Sequence, residues 1–169
     1  MSMCPAKPGI RFVCGTLIIE RDKPMTMEER SAGAVVYLEG EKGRQYLLLQ
    51  NGGRWDFPKG GVEPGENETQ TVLREVKEET GLKEVILVPG FRRVIEYFYR
   101  RDGKNIHKEV VYLLAKTNGG EVKISFEHQG FGWYNYHDAI ERASYENSKK
   151  TLAEAERFIS KGSASLAQN

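Results

Sequence analysis

The chain is short of cysteine, of any excess of charge of one sign, and of long apolar runs. Its 169 residues include two cysteines, Cys4 and Cys14. They could pair, but reduced thiols in a cytoplasmic chain are the expected state, and two cysteines cannot carry a disulfide-built scaffold. No apolar run approaches the roughly 18 residues needed to cross a bilayer, so no membrane span is expected. Met1 to Gly9 holds two prolines and lacks the apolar core of a secretory signal, which makes the cytoplasm the expected location. Lysine and arginine total 25 against 24 acidic residues, a net charge of +1. Domains that bind nucleic acid usually carry a basic excess, so nucleic acid is not expected as a partner. A polyanionic ligand would have to be met by local basic groups or by a metal ion. Repeats and low-complexity blocks are also missing.

What is present suits one ordinary domain. The hydrophobic fraction is 39% and the charged fraction 29%, enough for a single sizeable core. β-Formers from Ile10 to Glu20 predict a strand, followed by a polar connector around Asp22, Lys23 and Pro24. Ser31 to Glu39 and Gln45 to Gln50 read as strands of a hairpin, and Trp55 to Phe57 as a short extended piece. Val85 to Val88, Phe91 to Tyr99 and Val110 to Ala115 read as three further extended segments, with Asp102-Gly103 a hairpin turn. A last strand is predicted over Gly130 to Tyr136, then helices over His137 to Ala143 and Tyr145 to Lys161. Gly162 to Asn169 reads as a frayed tail. The order is that of a mixed sheet with helices packed on it.

The sharpest local pattern is a helix following Asn67. Asn67 and Gln70 have capping-box spacing, and Gly81 stands where a left-handed residue would end the helix. Val72, Leu73 and Val76 form an apolar stripe. At about 100° per residue, Glu75, Glu78 and Glu79 share another face. Three carboxylates so close repel each other unless a cation is bound, and a hard divalent ion takes such oxygen ligands. On its own such a face reads more readily as a solvated one, with Arg74–Glu78 an ordinary helical ion pair. The preceding Pro58-Lys59-Gly60-Gly61-Val62-Glu63-Pro64-Gly65-Glu66 favours the cation: glycines let backbone approach a ligand, and Lys59 can reach a phosphate.

Gly60, Glu66, Arg74, Glu75, Val76, Glu78, Glu79, Gly81 and Leu82 fill every defined position of the signature of the Nudix hydrolases, which this segment resembles. The resemblance implies an α/β/α sandwich with a mixed sheet between helices, and Mg²⁺- or Mn²⁺-dependent hydrolysis of a nucleoside diphosphate linked to another group. By position, Glu75, Glu78, Glu79 and the Gly60 carbonyl would be metal ligands. Glu66 would hold Arg74, and Arg74 would orient the carboxylates. The metal would neutralise phosphate charge and acidify the attacking water.

Further matches at Phe57-Pro58-Lys59-Gly60, Gly90-Phe91-Arg92-Arg93 and Glu127-His128-Gln129 through Trp133 resemble the asymmetrical diadenosine tetraphosphate hydrolases within that family. The similarity runs from Ser31 to about Ile159. It implies Glu127 as a fourth metal carboxylate, Lys59, Lys108 and His128 as phosphate contacts, and Tyr97, Tyr112 and Phe131 as candidates for purine stacking. The implied products are ATP and AMP. Gly61 departs from this pattern, standing where such enzymes often have histidine. Residues 1–30 are expected to be an extension comprising an added strand and connector, residues 31–161 the hydrolase domain, and residues 162–169 the tail. Oligomeric state is left open. Two other readings stand beside the first. Arg92, Arg93, Arg100, Arg101, Lys104 and Lys108 form a basic cluster that would suit a diphosphoinositol polyphosphate or nucleoside triphosphate pyrophosphohydrolase. A non-catalytic nucleotide sensor would be expected to lack a signature carboxylate, and none is missing.

Overall fold

The computed structural model describes residues 11–13, 16–18 and 26–166. Cys4, Cys14, the connector at Asp22 to Pro24 and the last three residues lie outside the described residues. The elements run β1 (Arg11–Val13), β2 (Thr16–Ile18), β3 (Thr26–Gly40), β4 (Gly43–Asn51), β5 (Arg54–Asp56), β6 (Lys59–Gly61), α1 (Glu68–Thr80), β7 (Val85–Arg101), β8 (Lys104–Thr117), β9 (Gly130–Tyr134), α2 (Tyr136–Arg142) and α3 (Glu146–Leu166).

The main sheet has the order β5-β4-β3-β8-β7, with β6 added against β3 and β9 against β4. The pair β3–β8 is parallel over its whole length, while the other pairs are antiparallel. Side chains alternate along a strand, so β3 divides its residues between two cores. Ala32, Ala34 and Val36 pack with Val72 and Val76 of α1. Val35 and Tyr37 pack with Ala139 of α2 and Leu152, Ala155 and Ile159 of α3. The sheet therefore lies between one helix and two, as expected.

Several boundaries differ from the sequence reading. β1 and β2 pair antiparallel with each other, Arg11 opposite Ile18, so the expected strand from Ile10 to Glu20 is two short strands. β3 starts at Thr26 instead of Ser31, because the parallel partner β8 supplies hydrogen bonds for its polar first turns. The segments expected at Val85 to Val88 and Phe91 to Tyr99 are one strand with a bulge between Val88 and Arg92. Asp102 and Gly103 do form the tight turn, both at positive φ. α3 continues to Leu166, through part of the expected tail.

The first turns of β3 are held by Glu29. Its carboxylate accepts from the Tyr99 hydroxyl (2.8 Å) and Lys108 Nζ (3.1 Å), and pairs with Arg101. The Tyr99 hydrogen bond, then Lys108 and Arg101, lower its pKa from 4.5 to about 2. A depressed carboxylate stabilises the fold above its ordinary value and loses that contribution as pH falls through the folded value. Glu29→Gln is therefore expected to lower the melting temperature at pH 7 by about 2–4 °C, the effect of roughly 1 kcal/mol for a partly exposed network. It should also flatten the acid loss of stability between pH 4.5 and about 2, which thermal melts across that range would check.

Candidate active site

α1 starts and stops where its caps dictate. The Asn67 side chain accepts from the Gln70 amide and the Gln70 side chain from the Asn67 amide, both at 2.9 Å. Gly81 ends the helix at φ 71°. The buried residues are Thr71, Val72, Glu75, Val76 and Thr80, while Leu73 is exposed. This corrects the expected stripe. The buried arc is centred between Val72 and Glu79, because the helix leans on β3 and β6, and Leu73 falls outside it. Glu75 consequently lies under β6 and not on a solvated face.

β6 passes so close that a Cβ on Gly60 would overlap the Glu75 carboxylate. Arg74 gathers the surrounding charges. Its guanidinium donates to Glu66 at 2.7 and 2.9 Å, to Glu75 at 2.6 Å, to Glu78 at 3.3 Å and to the Gly61 carbonyl at 2.9 Å. Glu66 also accepts from the Thr71 hydroxyl at 2.8 Å. The Arg74 hydrogen bonds hold the Glu66 pKa down to about 2.

The remaining carboxylates behave differently. Glu79 is largely buried, accepting from the Lys59 amide at 2.9 Å. Burial raises its pKa to about 7 against the opposing Lys59 amide, and the charges of Glu75 and Glu127 push it the same way. Burial also raises that of Glu75, although Arg74 opposes the shift. Such upward shifts mark carboxylates that a cation would relieve.

Glu127 arrives on a pinned loop on the α1 side of the sheet, where Val122 and Ile124 pack against the α1 core. Ser125 donates its amide to the Glu79 carbonyl (3.3 Å), and the His128 amide closes a turn onto the Ser125 carbonyl (3.1 Å). His128 is buried behind this turn, Nδ1 3.0 Å from the Ser125 hydroxyl and Nε2 3.8 Å from Glu79. Burial lowers its pKa, which favours a neutral ring. Gln129 ties the loop to β4 and the β4–β5 turn, through its amide to Gln50 (2.8 Å) and its side chain to the Gly52 amide (2.7 Å). Glu127 is thereby placed with Gly60, Glu75, Glu78 and Glu79 around one cavity of about 470 Å³.

Among the described residues, no three acidic, cysteine or histidine side chains converge as a ready metal cluster, since Arg74 draws Glu75 and Glu78 to itself. The donor set nonetheless fits a hard divalent ion: four carboxylates and a glycine backbone, all oxygen, in one cavity.

Lys59 connects this cavity to two others. Its ammonium sits 2.7 Å from Asp56; burial works to lower the lysine pKa, but the charge and hydrogen bond of Asp56 together with the charge of Glu79 keep it raised. One cavity, of about 520 Å³, is shared by Arg54, Asp56, Lys59, Glu79, Glu127, His128 and Tyr145. The next, of about 440 Å³, is walled by Tyr97 and Tyr145, with Arg54, Asp56 and Lys59 again on its border. Arg54 donates to the Tyr145 hydroxyl at 3.2 Å.

Two expected substrate contacts, Phe131 and Lys108, are corrected by their surroundings, while Tyr112 keeps a place on a cavity wall. Tyr112 has no exposed surface and packs against Phe57, yet it lines the same cavity as Tyr97 and Tyr145. Phe131 is exposed on β9 opposite Leu49 but borders none of the three cavities. Lys108 is committed to Glu29 and borders none of them either. Tyr97 remains in place. Arg54, Asp56 and Tyr145 were not legible as site residues, since they meet only when α3 docks on β5, where the Ser148 hydroxyl donates to Asp56 at 2.7 Å.

A model of the NUDIX domain matches residues 28–155. The chain belongs to the Nudix family. It is 39% identical over 122 residues to the rat (Rattus norvegicus) protein named bis(5'-nucleosyl)-tetraphosphatase (asymmetrical), covering 68% of this chain and 80% of that one. The Caenorhabditis elegans protein of the same name is 36% identical over 137 residues, 79% of this chain and 98% of that one. The crystal structure of a C. elegans Ap4A hydrolase binary complex matches with a TM-score of 0.69 at 34% identity, covering 78% of this chain and 98% of that one. The mixed sheet between helices is thus the Nudix fold, and the chain is a Nudix hydrolase. No helix among the described residues is long and apolar enough to cross a membrane.

Proposed function

We propose that this Nudix hydrolase cleaves diadenosine tetraphosphate, with water attacking the polyphosphate chain to give ATP and AMP. The observation that carries the reading is the row of cavities: a carboxylate-lined end, Lys59 shared by all three, and an aromatic-walled end. A polyphosphate bearing a base needs those three chemistries in that order. Glu75, Glu78, Glu79, Glu127 and the Gly60 carbonyl would hold Mg²⁺ or Mn²⁺, which would supply charge neutralisation at the phosphates and a more acidic water.

The protein's own groups do the rest. Arg74, fixed by Glu66, sets the direction of Glu75 and Glu78. Glu79 is the carboxylate placed to take the proton of the attacking water, because it borders both the carboxylate-lined cavity and the neighbouring one that holds Lys59. Lys59, with Arg54 and His128 beside it, faces the phosphate chain. Tyr97 and Tyr145 flank a purine, and base–aromatic contacts of this kind are worth about 1–3 kcal/mol each.

Gly60→Ala should cut turnover about 10²-fold, since displacing a carboxylate by an ångström costs that much. The displaced group is Glu75, which Arg74 prevents from swinging aside. Steady-state kinetics with a melting curve alongside would check this.

The inositol pyrophosphate reading loses support from the basic cluster itself. Arg92 pairs with Glu68, Arg93 with Glu154, and Arg101 and Lys108 with Glu29, so this charge is largely spent within the fold. The deciding experiment incubates the protein with diadenosine tetraphosphate and with an inositol pyrophosphate, each with Mg²⁺ or Mn²⁺, and separates the products. Equal ATP and AMP are expected. Two ADP, or cleavage of the inositol compound alone, would overturn the assignment, and silence toward every polyphosphate would favour a sensor.

A further inference from the structure

One aromatic at the carboxylate end of the cleft has no role in the reaction as set out above. Phe126 is 95% exposed, the most exposed large apolar side chain among the described residues. A lone apolar residue on a surface is common and by itself means nothing. Its setting is what singles it out. Phe126 and Glu127 are the two central residues of the turn closed by the His128 amide on the Ser125 carbonyl. That turn is held to α1 by the Ser125 amide and to β4 by the Gln129 amide, and Ser125 and His128 bond side chain to side chain behind it. An exposed ring is thus presented from a braced loop, which lowers the entropy lost when a ligand stacks on it.

Phe126 borders the same cavity as Gly60, Glu75, Glu78, Glu79 and Glu127. Tyr97 and Tyr145 lie in the other outer cavity, with Lys59 common to both. Aromatic side chains therefore border both outer cavities. The carboxylate-lined cavity is also open at Gly61, where an added Cβ would meet nothing within 4 Å.

We infer that Phe126 is a specificity residue, a one-sided stacking platform for the second nucleoside of a dinucleoside polyphosphate whose first base lies between Tyr97 and Tyr145. This rests on the substrate reading above and adds to it the group that distinguishes a dinucleotide from a mononucleotide. A single open ring holds a base more weakly than a two-sided pocket, so the second nucleoside adds affinity without being enclosed.

The test compares diadenosine tetraphosphate with adenosine 5'-tetraphosphate, which keeps the phosphate chain and lacks the second nucleoside. KM is measured for the first, and Ki for the second as a competitor, whether or not it is itself cleaved. In Phe126→Ala the ratio of that KM to that Ki should rise about five- to tenfold, the low end expected of an exposed stacking contact. Phe126→Trp should bring the ratio back to the wild-type value or below it. Both variants should melt within about 2 °C of wild type, as exposed substitutions do. A ratio that does not move, or a KM and Ki that rise together, would overturn the assignment of Phe126 and leave the substrate reading standing. Wild-type protein that leaves diadenosine tetraphosphate intact would overturn both.

Discussion

Glu79→Gln is expected to lower turnover by about 10²–10⁴-fold, the range for removing a positioned proton acceptor. The protein should melt at or above the wild-type temperature. The substitution keeps shape and keeps an oxygen to accept the Lys59 amide at 2.9 Å. What it removes is a largely buried negative charge, disfavoured by desolvation and by Glu75 and Glu127 nearby. Losing such a charge relaxes repulsion in the resting protein, so activity and stability should part company. Single-turnover kinetics together with thermal melts would show this. Loss of cooperative melting would mean that the carboxylate is a structural member of the fold.

Arg74→Ala should damage both properties. The guanidinium is mostly buried and serves Glu66, Glu75 and Glu78 at once, besides the Gly61 carbonyl. Its removal leaves three carboxylates with no counter-charge among their present partners. Breaking a fully buried pair costs about 3–5 kcal/mol, and partial exposure reduces this to roughly 2–4 kcal/mol, or about 5–12 °C in melting temperature. Turnover should fall about 10²-fold or more, because Glu75 would no longer be held. Arg74→Lys should recover little, since one ammonium cannot reproduce a planar fork bonded on several sides. A variant with normal turnover would remove Arg74 from the account, and one with normal melting would remove the charge-balance argument.

The parts of the molecule legible in the sequence were those set by neighbours along the chain. Asn67, Gln70 and Gly81 mark the ends of α1 because capping is a local hydrogen-bonding problem. Asp102-Gly103 marks a turn for the same reason. The burial of Glu75 was not legible, because periodicity defines the faces of a helix without saying which neighbour covers each one. Here the cover is a short glycine strand that most side chains would have kept away. Tyr97 and Tyr112 look alike in sequence, both aromatic and both on strands, and both line one cavity, yet one is partly exposed and the other wholly buried. Tyr145 and Arg54 are 91 residues apart, and no local pattern joins them. Pro89 and Gly90 suggest a break, whereas β7 carries them as a bulge and continues.

The central claim is that the carboxylates of α1, with Glu127, grip a divalent cation against a phosphate chain. The most direct measurement is Mn²⁺ titration, followed by electron paramagnetic resonance, of the wild-type protein and of Glu75→Gln, with diadenosine tetraphosphate cleavage assayed in the same samples. Saturable uptake by the wild type, lost in the variant together with ATP and AMP formation, is the predicted result. Cleavage that continues with the ion chelated, or a wild type that takes up no Mn²⁺ at substrate-saturating concentrations, would contradict it.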